Sequence, residues 1–180
     1  MAGLRRTLFT QPLSRRATEP WEYGEGFTEA FRRIVELRYR LLPYIYAQAA
    51  LASREGHPML GALFFEYPGD PTSWLIEDQY LLGTDVLVAP LMEEAPGREV
   101  YLPHGLWIDY QGGKTYEGAR WHTMRAGKVP VVMLVREGAA IPHADLAQST
   151  GEIGMGRCML CASNASTTNS LWKEMHSKAG

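Results

Sequence analysis

The chain has 180 residues, a formal net charge of -2 at pH 7 and 46% hydrophobic residues. This composition is typical of a globular protein with a buried core. The nearly balanced charge gives no indication of nucleic acid or of an anionic membrane surface as a partner, and no apolar run approaches the ~20 residues that cross a bilayer.

The first 18 residues are rich in arginine and carry no acidic side chain. This pattern is compatible with a mitochondrial-type presequence. The alternative, which we favour, is an irregular or wrongly assigned start. No secretory signal is recognisable, because the apolar stretch after the first arginine pair is too short, and the sequence leaves the compartment open. The arginines are Arg5, Arg6, Arg15 and Arg16.

Between Phe27 and Ala49 hydrophobic residues recur at steps of three and four, which predicts a helix with one apolar face. Leu37 interrupts this face without ending it. Pro43 predicts a kink or a split, and Gly56 marks the end of the helix. The predicted face consists of Phe27, Phe31, Ile34, Val35, Leu41, Leu42, Ile45 and Ala49.

The pattern then changes from helical to extended. The apolar run 58–67 predicts a strand, and 68–71 (Pro-Gly-Asp-Pro) predicts a turn. After Gly83, short segments rich in β-branched and aromatic residues alternate with Gly, Pro and polar clusters, a spacing typical of an antiparallel sandwich. The predicted strands are Val86–Ala89, Glu99–Leu102, Leu106–Tyr110, Trp121–Met124 and Val131–Val135.

These patterns divide the chain into four regions: an irregular start (1–18), a mostly helical region (19–82), a β region (83–148) and an irregular tail (149–180). The tail is dominated by small and polar residues. It is either a disordered linker or the result of a lost reading frame, and we slightly favour the second interpretation.

The cysteines Cys158 and Cys161 form a single CxxC near His176. A zinc site needs further ligands at recognisable spacing, and a disulfide framework needs more cysteines. We therefore predict no metal and no cofactor.

Four motifs carry a family resemblance. Residues 19–25 (Glu-Pro-Trp-Glu-Tyr-Gly-Glu), 36–46, 64–71 and 78–90 resemble, in this order, the end of the catalytic domain of glycoside hydrolase family 31, the α-glucosidases and α-xylosidases. The resemblance extends to about Thr150. It implies an α+β fold, in which the helical end of a (β/α)8 barrel (19–82) is followed by an antiparallel β-sandwich (83–148).

The same resemblance implies that no catalytic residue is present. Family members are retaining enzymes with two catalytic Asp residues, one in a Trp-x-Asp-Met-Asn-Glu type motif, and this sequence contains no Trp-x-Asp-Met. The Arg-x-His pair expected before Glu19 is missing from 11–18. Gly61 stands where family members often have Arg, so we expect a buried ion pair between helices and sandwich to be lost.

Independently of the family resemblance, four pairs of carboxylates are candidates for a general acid and base. Caps, turns and exposed surface are the simpler interpretation of each pair. No two histidines show metal-ligand spacing. The pairs are Glu22 with Glu25, Glu66 with Asp70, Glu77 with Asp78, and Glu93 with Glu94; the histidines are His57, His104, His122, His143 and His176.

Trp107 and Trp121 are the candidates for stacking on a sugar ring, although large aromatics also fill sandwich cores. The leading hypothesis is the C-terminal portion of a retaining α-glycosidase, with a structural role and with carbohydrate as partner only in the intact enzyme. A helix face that has lost its barrel would favour self-association. The alternatives are a non-catalytic carbohydrate-binding or interaction module and, more remotely, a small hydrolase that uses Glu22 or Glu66.

Overall fold

A computed structural model of the chain describes residues 20–93 and 95–152, and the backbone of 158–160. The helices are α1 (Glu25–Arg40), α2 (Leu42–Glu55) and the short α3 (Leu63–Glu66), with 3₁₀ turns at Pro20–Tyr23, Pro71–Trp74 and Thr150–Glu152. None of the helices described is long and apolar enough to span a membrane. The strands are β1 (Leu60–Gly61), β2 (Tyr80–Leu82), β3 (Val86–Pro90), β4 (Gly97–Leu102), β5 (Leu106–Asp109), β6 (Thr115–Glu117), β7 (Arg120–Arg125), β8 (Val131–Arg136), β9 (Ala140–Pro142) and β10 (Cys158–Leu160).

The predicted helix is split at Leu41, which ends α1 and precedes α2. Pro43 lies in the first turn of α2, where a residue without an N–H leaves no hydrogen bond unmade. Gly56 ends α2 in the left-handed conformation, with φ of 76°, and its N–H donates to the carbonyl oxygen of Ala52 at 2.9 Å. The predictions for Pro43 and Gly56 are confirmed.

The strands form an antiparallel six-stranded sheet in the order β1-β2-β3-β8-β5-β6, a two-stranded ribbon of β4 and β7, and a further pair of β9 with β10. All five strands predicted after Gly83 are present, as β3, β4, β5, β7 and β8. The sheet also includes β1 and β2, which precede Gly83. The boundary between two domains near residue 82 stays a prediction.

The predicted strand over 58–67 is wrong for most of its length. Only Leu60–Gly61 pairs with the sheet, and Leu63–Glu66 is a helical turn. Leu63 and Tyr67 are both buried in the same core cluster, whereas Phe65 between them is 57% exposed. In a strand all three side chains would share one face, but a helical turn brings the first and the last together and turns the middle one away.

The prediction of an irregular tail over 149–180 is also wrong in part. Residues 158–160 form β10, paired with β9 in the register Met159↔Ile141, and a 3₁₀ turn precedes it. β9 offers a free edge whose backbone groups a short extended segment can pair. The rest of the tail beyond 152, the side chain of Cys158, Cys161 and residues 1–18 lie outside the described residues.

The six-stranded sheet is covered on both faces. Along β3, Val86 and Val88 face a core cluster that includes the helices, whereas Leu87 and Ala89 face a cluster that includes the ribbon. β8 alternates in the same way, because successive side chains of a strand point to opposite faces. The two central strands are therefore apolar at every position except Arg136 at the end of β8, as expected for a sheet buried on both sides.

The helices pack on the sheet through Leu37, Leu41 and Tyr44. Ile34 is buried as well, so the expectation that the whole apolar face would be uncovered is wrong at Ile34 and Leu41. Leu37, predicted to interrupt the face, is one of its buried members. The remaining members of the predicted face are half-buried.

One side chain joins the helices to the β2–β3 hairpin through hydrogen bonds. The buried hydroxyl of Tyr44 donates to the carbonyl oxygen of Leu82 at 2.8 Å and accepts from the backbone N–H of Asp85 at 3.3 Å. Burial raises the pKa of the Tyr44 hydroxyl well above its ordinary value, so the proton that it donates to Leu82 stays in place at neutral pH.

Replacing Tyr44 by Phe should therefore destabilise the fold by about 1–3 kcal/mol, because the buried carbonyl of Leu82 and the partly buried N–H of Asp85 lose their partner. The matched control is Tyr46→Phe on the same helix, where the side chain is 77% exposed. Urea unfolding of both variants measures the difference. Equal midpoints would show that this link contributes nothing to stability.

Candidate functional site

An apolar groove opens between α1, the short strand β1 and the sheet. Its volume is about 650 Å³. Val88 and Met133 line the groove and also belong to the core that holds the helices on the sheet. The groove is therefore continuous with the hydrophobic core, and whatever fills it would extend that core.

Two aromatic rings, those of Phe64 and Trp74, line the mouth of this groove. Phe64 stacks on Trp74 with ring centroids 4.7 Å apart and planes inclined by 14°, and it also stacks on Phe65. The indole N–H of Trp74 donates to the carbonyl oxygen of Pro68 at 3.0 Å, which fixes the ring. Trp74 is nevertheless 57% exposed. A rigid, exposed apolar surface of this kind is typical of an interaction site.

Asp70, one of the predicted carboxylates, has a structural role beside the groove. Its oxygens accept hydrogen bonds from Tyr101 Oη at 2.6 Å, Thr72 N at 3.0 Å and Ser73 Oγ at 3.2 Å. Burial opposes ionisation, but these hydrogen bonds outweigh it and lower the pKa of Asp70. Its predicted partner Glu66 lies 4.0 Å from Arg136 instead. This pair is not arranged as a general acid and base.

The other predicted carboxylate pairs are placed as surface groups. Glu22, Glu25 and Glu77 are exposed, and Asp78 forms an ion pair with Arg98. Glu94 lies outside the described residues. The described residues contain no group of three or more His, Cys, Asp or Glu side chains that could hold a metal ion. The lost ion pair at Gly61 stays a prediction.

The two tryptophan candidates lie in different environments. Trp107 is fully buried, and its indole N–H donates to the carbonyl oxygen of Pro103 at 2.9 Å. Trp121 is 50% exposed and borders a second hollow of about 400 Å³. Only Trp121 therefore presents a ring face to solvent. Sequence reasoning missed the Phe64–Trp74 stack, although an aromatic residue shortly after the Pro-Gly-Asp-Pro turn was a usable signal.

His143 is a buried titratable group at the junction of the helices and the sheet. Its Nε2 lies 2.7 Å from the hydroxyl of Tyr110, and its buried Nδ1 has no hydrogen-bond partner. Burial, together with the positive charge of Arg40, lowers the pKa of His143 to about 4. The imidazole is therefore neutral in the folded protein at pH 7.

Acid should weaken the fold through His143. The pKa of His143 in the folded protein lies below the ordinary 6.5, so the unfolded chain binds the proton at a higher pH than the folded chain does. The free energy of unfolding should therefore fall by up to about 3 kcal/mol as the pH drops from about 6.5 to 4. Urea unfolding at several pH values should show a shallower loss for His143→Gln than for the natural chain.

The control for this experiment is His57→Gln, at an exposed position, which should keep the acid dependence of the natural chain. Identical acid dependence in His143→Gln and the natural chain would contradict this assignment.

Comparison with known families matches two adjoining parts of the chain. Residues 8–48 match the family model described as glycosyl hydrolases family 31 TIM-barrel domain. Residues 56–141 match that of the glycosyl hydrolase family 31 C-terminal domain. The second match includes the six-stranded sheet and the ribbon, and the first includes α1 and the start of α2.

Curated relatives and solved structures agree with these matches. The chain is 37% identical to alpha-glucosidase 2 of Bacillus thermoamyloliquefaciens, over 75% of this chain and 17% of the relative. It is 33% identical to an alpha-xylosidase of Emericella nidulans, over 68% and 17%.

Among solved structures, a mutant Flavobacterium johnsoniae family 31 dextranase complexed with isomaltotriose matches with a TM-score of 0.74 and 36% identity, over 77% of this chain and 17% of that one. The chain thus spans less than a fifth of the length of these relatives.

Proposed function

Because this chain belongs to glycoside hydrolase family 31, we propose that it is the C-terminal portion of a retaining α-glycosidase and that its role there is structural. In this proposal α1 and α2 are the last helices of the barrel. The sandwich behind them holds those helices in position through the contacts of Leu37, Leu41 and Tyr44.

The apolar groove is the observation that carries the proposal. It opens beside Ile34 of α1, on the helix that the barrel model matches, and its walls are continuous with the core. A barrel needs helices on all sides, whereas the barrel match in this chain covers only residues 8–48. The remaining elements of such a barrel are the apolar partner that suits this groove. They would come from a separate polypeptide or from another part of a longer one.

The proposal assigns no catalytic group to the chain itself. A retaining glycosidase needs two carboxyl groups about 5–5.5 Å apart across the scissile bond. In the described residues, Asp70 and Asp78 are engaged as a cap and in an ion pair, and Glu66 faces Arg136. Carbohydrate is accordingly a partner of the completed enzyme.

Fragment complementation tests this role. The partner fragment is a family 31 α-glucosidase, such as the Bacillus thermoamyloliquefaciens enzyme, cut where its match to this chain begins. Mixing the two should restore hydrolysis of an aryl α-glucoside, which neither piece shows alone. Trp74→Ala should weaken assembly by about tenfold or more, because exposed aromatic anchors dominate such interfaces, whereas Tyr46→Ala should leave assembly unchanged.

Turnover of an aryl α-glucoside or α-xyloside by the chain alone, abolished by Glu22→Gln or Glu66→Gln, would overturn the structural role and favour an independent hydrolase. Restored activity that Trp74→Ala leaves unchanged would place the contact with the barrel elsewhere.

Without a barrel, the groove should cause self-association, since an exposed apolar surface is buried by a second copy when no other partner is present. We expect sedimentation of the natural chain to show a concentration-dependent oligomer. Trp74→Glu places a charge at the mouth of the groove and should shift the chain towards monomer. A monodisperse natural monomer would contradict this expectation.

A further inference from the structure

The second hollow lies against the outer face of the β4–β7 ribbon. In this ribbon Tyr101 pairs with Trp121, and the opposite face is buried through Val100, Leu102 and Met124. On the outer face, Tyr101 is 5% exposed and belongs to the core cluster that includes the ribbon, whereas Trp121 beside it lies outside that cluster. Trp121 is not needed to fill the core, and half of its surface is free to contact a ligand.

The ring of Trp121 is supported from below by a fixed residue. Tyr101 packs against it at a tilted angle, with ring centroids 5.5 Å apart. The hydroxyl of Tyr101 donates to Asp70 at 2.6 Å. Its backbone N–H and carbonyl form two hydrogen bonds of 2.8 Å with the buried side chain of Gln79. A support of this kind reduces the ordering cost of binding, because the platform is already in place.

Among the described residues that line the hollow, the charged side chains provide hydrogen-bond acceptors, and the one cationic side chain is already paired. Arg98 is engaged by the carboxylate of Asp78 and by the carbonyl oxygens of Asp78, Pro90 and Glu99. Glu93 and Glu99 are exposed and line the same hollow. The lining therefore combines one flat aromatic face with carboxylate oxygens at its edge.

From this combination we propose that the hollow at Trp121 binds a short neutral oligosaccharide. The C–H face of a sugar ring packs on an aromatic ring, and its hydroxyl groups donate to carboxylate oxygens. The volume of about 400 Å³ falls within the range of small-molecule sites. The lining carries three carboxylates, of Asp78, Glu93 and Glu99, and one guanidinium, of Arg98. This excess of negative charge repels anionic ligands such as nucleotides or uronic acids.

A cationic ligand fits the hollow less well. Quaternary ammonium groups are recognised by cages of several aromatic rings, whereas Trp121 is the one aromatic side chain that lines the described part of this hollow. The site does not depend on the proposed structural role, because it is complete within this chain and uses no catalytic group. It shares Asp78, Leu91 and Met92 with the apolar groove but not Trp74.

Titration of the whole chain with maltotriose and isomaltotriose tests the proposal. In NMR spectra the indole N–H signal of Trp121 should shift with sugar concentration, and calorimetry should give the same dissociation constant. Trp121→Ala should raise that constant about tenfold or more, which corresponds to the loss of one aromatic stacking contact. Trp121→Tyr, which keeps an aromatic face, should retain most of the affinity.

Trp21→Ala is the matched control, since Trp21 is also exposed, at 67%, and lines neither opening. Its sugar affinity should equal that of the natural chain, and unfolding curves confirm that each variant is folded. Unchanged affinity in folded Trp121→Ala, no detectable binding of either sugar, or tighter binding of choline than of sugar would each overturn the proposal. Trp121→Ala should still complement the barrel fragment, so failure of one proposal is distinguishable from failure of the other.

Discussion

The whole structure depends on a sheet that must be covered on both faces. β3 and β8 are apolar at every central position, so neither face tolerates water. The ribbon covers one face, and α1 with α2 covers the other. The hydrogen bond from Tyr44 to Leu82 joins the helices to the β2–β3 hairpin. This double cover explains why residues matched to a barrel and residues matched to a C-terminal domain share one core in this chain.

Much of this fold could be predicted from the sequence, because its central elements have strong local signals. Helical periodicity, Pro43 and Gly56 predicted the split helix and its end, and runs of β-branched residues predicted the strands. The segment around Leu63 was missed because a short apolar run has the same appearance as strand or helix. The prediction that Leu37 interrupts the apolar face was wrong. Which side of a helix is buried depends on the sheet that packs against it, and local periodicity does not show that sheet.

The site was less predictable, since exposure is a tertiary property. Trp107 and Trp121 both lie in strands and are equivalent as residue types, yet one is fully buried and the other is half exposed. The difference arises because Trp107 points from the central sheet towards the ribbon, whereas Trp121 points away from the ribbon on its uncovered side. The Phe64–Trp74 stack depends on α3 and the following turn, and α3 itself was not predicted.

The groove and the hollow at Trp121 lie side by side and differ in chemistry. The groove continues the hydrophobic core and is bordered by stacked rings, so a protein surface that brings its own apolar side chains suits it. The hollow at Trp121 offers one ring and several carboxylates, which suits a hydroxyl-rich ligand. Asp78 lines both openings, and its ion pair with Arg98 lies where they meet. Because that pair keeps charge at the boundary, we expect an apolar partner in the groove to end before Trp121, so that both proposed partners can bind at once.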